Sequence, residues 1–514
     1  MTLRTTLRLA LVGTRSDRAR ITLTAAGAVI GTLTLLCAAT VAAIPTGQEV
    51  RYTNALLQED GLRPGVVLAL VLLTIPALTL VAQCSRLGAP ARERRLAAIR
   101  LAGAVPRQVV RLVTVETALA SVPGVAAGFA VYLTGRALLD TTDARGVRSL
   151  PTDVMPHAVP MVLIALGVPA LVAALTVRTL RRAALSPLTV VRATRRPRPR
   201  ALPGVLIVVG LGCCAVVEPL YHWFTRHPQT NDAPSLITGA LVIVGVTSVA
   251  VGVVTGTGWI TYTSGRVLVR HARRPAVLLA GRRMMADPWS GSRTLSALLI
   301  ALLIGSAAAG LAAFTVATVS AQEENTRRFA RLAGERYVPE GTGFYERAYE
   351  LVGYASLVAL LIAVAGLLVA LADTVLAQRR TFVSFVAAGT PRSVLSKAVC
   401  WQTLTPAVPA VLLAVLAGVL LPRLAVPSGQ DTAAMQAWRC SPLPGDTMAA
   451  CKDATYAEAH GAFVTAEKVP VVVHMPWAQL ALLTTTALTA TVLITLVGLL
   501  FLRGSTRLTE LRTA

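Results

Sequence analysis

The chain has 514 residues, 54% hydrophobic and only 14% charged, with a formal net charge of +24. A soluble domain carries about 25% charged residues, so the composition excludes an ordinary soluble enzyme and implies a polytopic membrane protein. A strongly basic chain would otherwise suggest nucleic acid, but 33 of the 49 Lys and Arg fall in alternate loops, with only Asp17, Glu93, Asp287 and Glu510 as acidic company. That is the pattern of cytoplasmic loops facing anionic lipid headgroups, and it argues against a nucleic-acid partner.

In chain order, Arg4, Arg8, Arg15, Arg18 and Arg20 lead into an apolar run at 21–44. That run is too long for the core of a cleaved signal peptide and predicts a first span. Further runs of roughly 20 residues, the length a bilayer requires, predict spans at 65–84, 108–139, 157–177, 203–220, 236–258, 294–320, 351–376, 398–421 and 478–502. Ten spans place both termini on the basic side, the cytoplasmic face of the cell membrane. The opposite loops hold 18 of the 25 acidic residues. The third span is long enough to tilt or project. The linker 178–202, with Arg181, Arg182, Arg192, Arg195, Arg196, Arg198 and Arg200 and with Pro187, Pro197 and Pro199, predicts an extended cytoplasmic strap. Residues 321–350 mix Glu and Arg in a pattern suited to helical extensions of the flanking spans. Residues 422–476 are long enough for a small cap, not for a domain with a large core.

Spans one to four resemble spans seven to ten. In each set a basic segment precedes the first span, LRLALVGTRSDRAR in one and LLAGRRMMADPWSGSR in the other. In each set the second and third spans are joined by a similar element: RRLAAIRLAGAVPRQV at 94–109 and RRTFVSFVAAGTPRSV at 379–394. In the first element Arg94, Arg95 and Arg100 complement the negative end of a helix dipole. Gly103 suits the left-handed position after a helix, and Pro106, followed by Arg107, the first turn of the next. In the second, Arg379 and Arg380 precede Gly389, Thr390 suits an N-cap, and Pro391 an N1 position before Arg392. Both predict a helix, a sharp corner and a new helix entering the membrane.

At these residues the chain resembles the FtsX-like permease family of ABC transporters. The resemblance rests on Arg94, Leu96, Ala97, Arg100, Gly103, Ala104, Gln108 and Val109, followed by Glu116, Gly124 and Gly128. Arg95 stands where the family has Glu. The second copy is weaker: Arg380, Gly389 and Val394 fit, Gln402 replaces an expected Glu, and one residue is missing after Gly389. The resemblance implies an all-α type VII permease with ten transmembrane helices, related to BceB and MacB permeases. Its organisation would be a four-span module at 1–180, a basic linker with two central spans at 181–275, and a second module at 276–514. It implies that each corner docks a cytoplasmic ATPase, two copies per permease, and that ATP and Mg are held on that partner, with no cofactor in this chain. A Walker sequence for cradling phosphates is absent here. The implied cargo is a hydrophobic or amphipathic peptide antibiotic, lipid or lipoprotein. The alternative is a non-transporting relay of ATPase motion to an extracytoplasmic enzyme or a sensor-kinase partner. The large outside domain usual in the family has no counterpart here beyond 422–476.

Glu116 falls two turns into the third span. An intramembrane carboxylate is a functional candidate, and the competing reading pairs it with Arg111 or Arg100 near the cytoplasmic surface. Cys440 and Cys451 lie in the outside loop 422–476, where an oxidising compartment permits a disulfide. No arrangement of Ser, His and Asp suggests catalysis, so no enzyme activity is expected of this chain.

Overall fold

The computed structural model describes residues 15–45, 52, 57, 63–84, 98, 101, 103–142, 146–184, 201–227, 233–333, 337, 343–377, 388–426, 435–440, 455, 459, 461–466 and 468–505. Its helices, in chain order, are α1 (Arg15–Ala42), α2 (Arg63–Cys84), α3 (Pro106–Leu138), α4 (Ala158–Ala184), α5 (Leu202–Ala215) and α6 (Val217–Arg226). They continue with α7 (Ala233–Arg270), α8 (Pro275–Ala286), α9 (Pro288–Ala333), α10 (Gly343–Ala377) and α11 (Arg392–Ala425), and after two strands with α12 (Trp477–Ser505).

Among the described residues, nine helices are long and apolar enough to cross a membrane, with Leu202–Phe224 of α5 and α6 counted as one. The protein is therefore a multi-pass, overwhelmingly helical membrane protein. The expected second span forms the 22-residue α2, but its described apolar stretch, Gly65–Val81, is shorter than the other nine.

The expected all-helical class holds, with one addition: β1 (Met435–Cys440) and β2 (Gly461–Ala466) pair antiparallel, from Met435↔Ala466 to Cys440↔Gly461. These short segments hold Trp, Phe, Val and Thr, which favour a pleated backbone. Two other expectations need correction. Residues 178–184, expected to belong to the strap, lack Pro and continue α4; the rest of the expected strap, 185–200, lies outside the described residues. The sixth span does not stop at 258: α7 runs on to Arg270, with Ile260 and Leu268 buried. The helical extension of the seventh span is present, since α9 is one helix of 46 residues.

α1 packs on α2, α3 and α4, and α3 packs on α4. α9 packs on α10, α11 and α12, and α11 packs on α12. α2 meets α10, where Leu80, Cys84, Ile362 and Val369 form a buried cluster. α5 and α7 pack on each other and on α11, and α7 also on α9. The largest core follows from this, joining Val249 and Val253 to Leu298, Leu302, Leu360, Val411 and Ala414.

Within a bilayer water does not drive helices together, so small residues that permit close approach decide which faces meet. A Cβ on Gly124 of α3 would stand 2.7 Å from the Ala25 Cα of α1, and one on Gly128 would stand 2.9 Å from the Thr32 Cβ. α11 meets α9 in the same way: a Cβ on Gly418 would stand 2.7 Å from the Leu303 carbonyl oxygen and against the Ser306 Oγ. Several hydroxyls in these helices are satisfied locally, though the buried Thr32 and Thr405 hydroxyls are not. Ser306 donates to the Leu302 carbonyl at 2.7 Å and Thr117 to that of Val113 at 2.8 Å, which removes the cost of an unpaired polar group in lipid. Thr40 and Tyr132 share a buried hydrogen bond of 2.7 Å between α1 and α3.

The connections after α1 and α3 meet at one end. Arg63, 8% exposed, donates from Nε to the Leu57 carbonyl at 2.7 Å and from Nη1 to that of Pro45 at 2.9 Å. Tyr52 donates to Asp153 at 2.8 Å. Asp140 accepts from the Thr152 hydroxyl at 2.7 Å and from Arg148 at 3.0 Å. These two partners, the hydroxyl foremost, hold its carboxyl below the ordinary carboxylate value. A carboxylate lowered in the native state stabilises it above the unfolded pKa, and that contribution is lost as pH falls through the native pKa. Backbone hydrogen exchange at 146–152, corrected for the intrinsic rate, is expected to stay constant from neutrality to about pH 4 and to accelerate below it. In Asp140→Ala the exchange is expected to be fast throughout; a wild-type loop that loosens already at pH 6 would contradict this account.

Candidate coupling site

Three described residues have left-handed backbone: Gly103 at φ +92°, Gly146 at +76° and Gly389 at +83°. Two of the three are the corner glycines. A Cβ on Gly103 or Gly389 would meet nothing within 4 Å, so the turn of the chain, and not lack of space, calls for glycine.

Each corner restarts a helix three residues after its glycine. α3 takes Val105 as N-cap and Pro106 at its first position, and the Gln108 Oε1 accepts from the Val105 N–H at 3.2 Å. α11 takes Pro391 as N-cap, with φ −62° and ψ 136°, and Arg392 as its first residue. The expected assignment of Thr390 and Pro391 is therefore displaced by one. The residue missing after Gly389 moves the proline and leaves the helix start in place. Proline fits there because an N-cap N–H has no partner inside the helix.

Six residues beyond each glycine the chain is pinned in the core. Val109 is 2% exposed and Leu395 1%. Val113 and Val399, one turn further, are also buried. The start of α11 rests on α8, the basic segment before α9, where Ala276 and Ala280 pack with Ala398 beside Leu279 and Val394. Three residues turn the other way at the first corner: Leu101 is 90% exposed, Val105 is 55% exposed, and Arg107 is also exposed. Leu101 has the highest exposure of any large apolar residue described. Sequence reasoning missed Leu101 and Val105 because attention went to the Arg, Gly and Pro around them. The signal was two apolar residues spaced across a turn where no lipid is expected.

Glu116 lies in α3, 7% exposed, and is engaged within the protein. At the matching distance from Gly389, α11 carries Gln402. The next residue in each helix donates backward alike, Thr117 to the Val113 carbonyl and Thr403 to that of Val399 at 3.0 Å. Arg94, Arg95, Arg100, Arg379 and Arg380 lie outside the described residues, as does Cys451. Cys440 ends β1. Cys84 and Cys214 are buried free thiols. No group of three His, Cys, Asp or Glu residues gathers among the described residues.

No family model matches this chain, and no curated protein matches it. What the corners do is therefore argued from their geometry.

Proposed function

We propose that this chain is the permease subunit of an ABC transporter, coupling ATP hydrolysis on a separate cytoplasmic ATPase to export or extraction of a hydrophobic or amphipathic substrate. In this reading α2 is a tenth span. α1 to α4 and α9 to α12 are two FtsX-like modules, and α5 to α7 lie between them. Both termini are cytoplasmic, and one ATPase sits at each corner.

The carrying observation is the pair of left-handed glycines, each followed three residues later by a helix pinned in the core. Such a corner is stiff, so a load applied to it moves the helix behind it. Support also comes from the packing, in which the first helix of each set touches the other three. At the first corner Leu101 and Val105 supply an apolar knob beside Arg107 for a partner to cover.

The test uses the tagged chain purified from its native membranes. Wild type is expected to bring down a protein with Walker sequences, and Leu101→Asp is expected to retain at least tenfold less. A surface position this exposed tolerates substitution within about 0.5 kcal/mol, so the variant's elution profile and unfolding midpoint stay as wild type. Full retention by Leu101→Asp, or the absence of any ATPase, overturns the docking reading.

A relay without transport is favoured by one observation: α9, a helix long and apolar enough to span, also touches both β1 and β2. Substrate flux in sealed vesicles separates the two readings. ATP hydrolysis without flux is the relay's signature.

A further inference from the structure

A cavity of about 610 Å³ lies between α9 and the segment leading into α12. Ala309, Ala313 and Ala317, four residues apart, line one wall, and Pro470 and Val472 stand opposite. Its polar contributions include Ser320 and His474. The volume falls within the range of about 300–1,000 Å³ typical of small-molecule sites.

Its level is fixed by its neighbours. The apolar stretch of α9 begins at Leu295, and roughly 20 residues cross the hydrocarbon, which brings Ala309 and Ala313 into the leaflet away from the corners and Ala317 to its edge. At Gly310 a Cβ would stand 2.9 Å from Pro422, near the end of α11. α12 opens with Trp477, 73% exposed, a residue type enriched at membrane boundaries. The cavity is thus apolar at hydrocarbon depth and polar where headgroups lie.

Charge narrows the occupant. Among the described residues no carboxylate lines the cavity, and His474 is the one titratable side chain in its wall. The exposed Lys468, next in sequence to Val469, and the exposed Arg423 lie outside the lining. The nearest carboxylates on α9 are already engaged: Glu323 accepts from Tyr337 at 2.7 Å, and Glu324 pairs with Arg328 at 3.0 Å.

We infer that this cavity binds one anionic phospholipid-type amphiphile from the outer leaflet, its hydrocarbon tail along the alanine face and its phosphate toward His474 and Lys468. Its role as a cargo site rests on the transport reading. Binding is read without any ATPase, so failure here and failure of ATPase docking are separate results.

The test reconstitutes the full chain in phosphatidylcholine vesicles with a trace of phosphatidylglycerol carrying a diazirine on its acyl chain. After irradiation, labelled peptides are mapped by mass spectrometry. Labelling is expected to concentrate in 309–321 and 469–479. A phosphatidylcholine diazirine is expected to label those peptides at least threefold less. Ala313→Trp should lower the labelling at least fivefold, and Val472→Trp, at a 61% exposed position that spares the core, should do the same from the opposite wall. Leu163 and Leu166 on α4, both exposed to lipid, report ordinary surface contact and should not change. Even labelling over all lipid-facing helices, equal labelling by both headgroups, or labelling indifferent to both Trp variants overturns the site.

Discussion

Gly124→Leu is expected to destabilise the protein by about 3 kcal/mol or more, while the same change at Gly135 in the same helix has little effect. The difference lies in what a side chain meets. At Gly124 it runs into the backbone of Ala25 on α1, and at Gly135 it meets nothing within 4 Å. A flexible side chain could swing aside, but the α1 backbone cannot move without parting α1 from α3 along their length. Overpacking a well-filled site costs about 1–3 kcal/mol when neighbours relax, and backbone against backbone is the unfavourable end of that range. Gly418→Leu is expected to match Gly124→Leu, because Leu303 and Ser306 block it at the α9–α11 contact. Equilibrium unfolding in mixed micelles of mild detergent and dodecyl sulfate measures the three variants side by side. Equal stability of the Gly124 and Gly135 variants would refute close approach as the reason for glycine at 124.

The second large effect is on coupling and leaves the fold nearly intact. Gly103→Val and Gly389→Val each force a β-branched residue into left-handed backbone, at about 1–3 kcal/mol of strain. Nothing surrounds either position, so the chain relieves the strain by changing the corner. In the proposed complex, substrate-stimulated ATP hydrolysis is expected to fall at least tenfold for each variant. Asn, which tolerates this backbone region, should restore most of it. Rescue by Asn separates a requirement for the turn from mere sensitivity to mutation. Gly146→Val is the control, with the same backbone strain at a corner on the other side. Reconstituted complexes assayed with and without substrate decide it: if the Asn and Val variants behave alike, corner geometry is not what couples.

The corners were legible because helix ends have strong local chemistry. Left-handed backbone at Gly103 and Gly389, with a proline just beyond each, is dictated by a few adjacent residues, and both copies were readable as such. Proline register was less legible: Pro391 satisfies an N-cap as well as an N1 position, and only packing of Leu395 settles which. The ends of α7 were misread because 259–270 loses hydropathy while keeping helix-compatible residues. Its continuation is decided by contact with α8, where Gly265 and Gly281 let the two helices close. The β ribbon was hidden for a similar reason. Two six-residue strands separated in sequence stabilise one another only when paired, and they touch α9, which no local pattern encodes. Leu101 was missed because exposure belongs to the assembled surface and not to the residue. The burial of Glu116 was foreseeable from its place in an apolar run.

In the proposed transporter α9 is the longest mechanical element among the described residues. At 1.5 Å per residue its 46 residues make a continuous rod of about 69 Å, more than twice the hydrocarbon thickness. The described part of α1, which takes the matching place in the first module of the proposed transporter, has 28 residues, about 42 Å. An unbroken hydrogen-bonded helix is stiff along its axis, so axial travel at the α8 end arrives at the β ribbon with little lost. In the proposed transporter, movement at the α8 end of α9 would therefore be carried straight to the β ribbon that α9 touches.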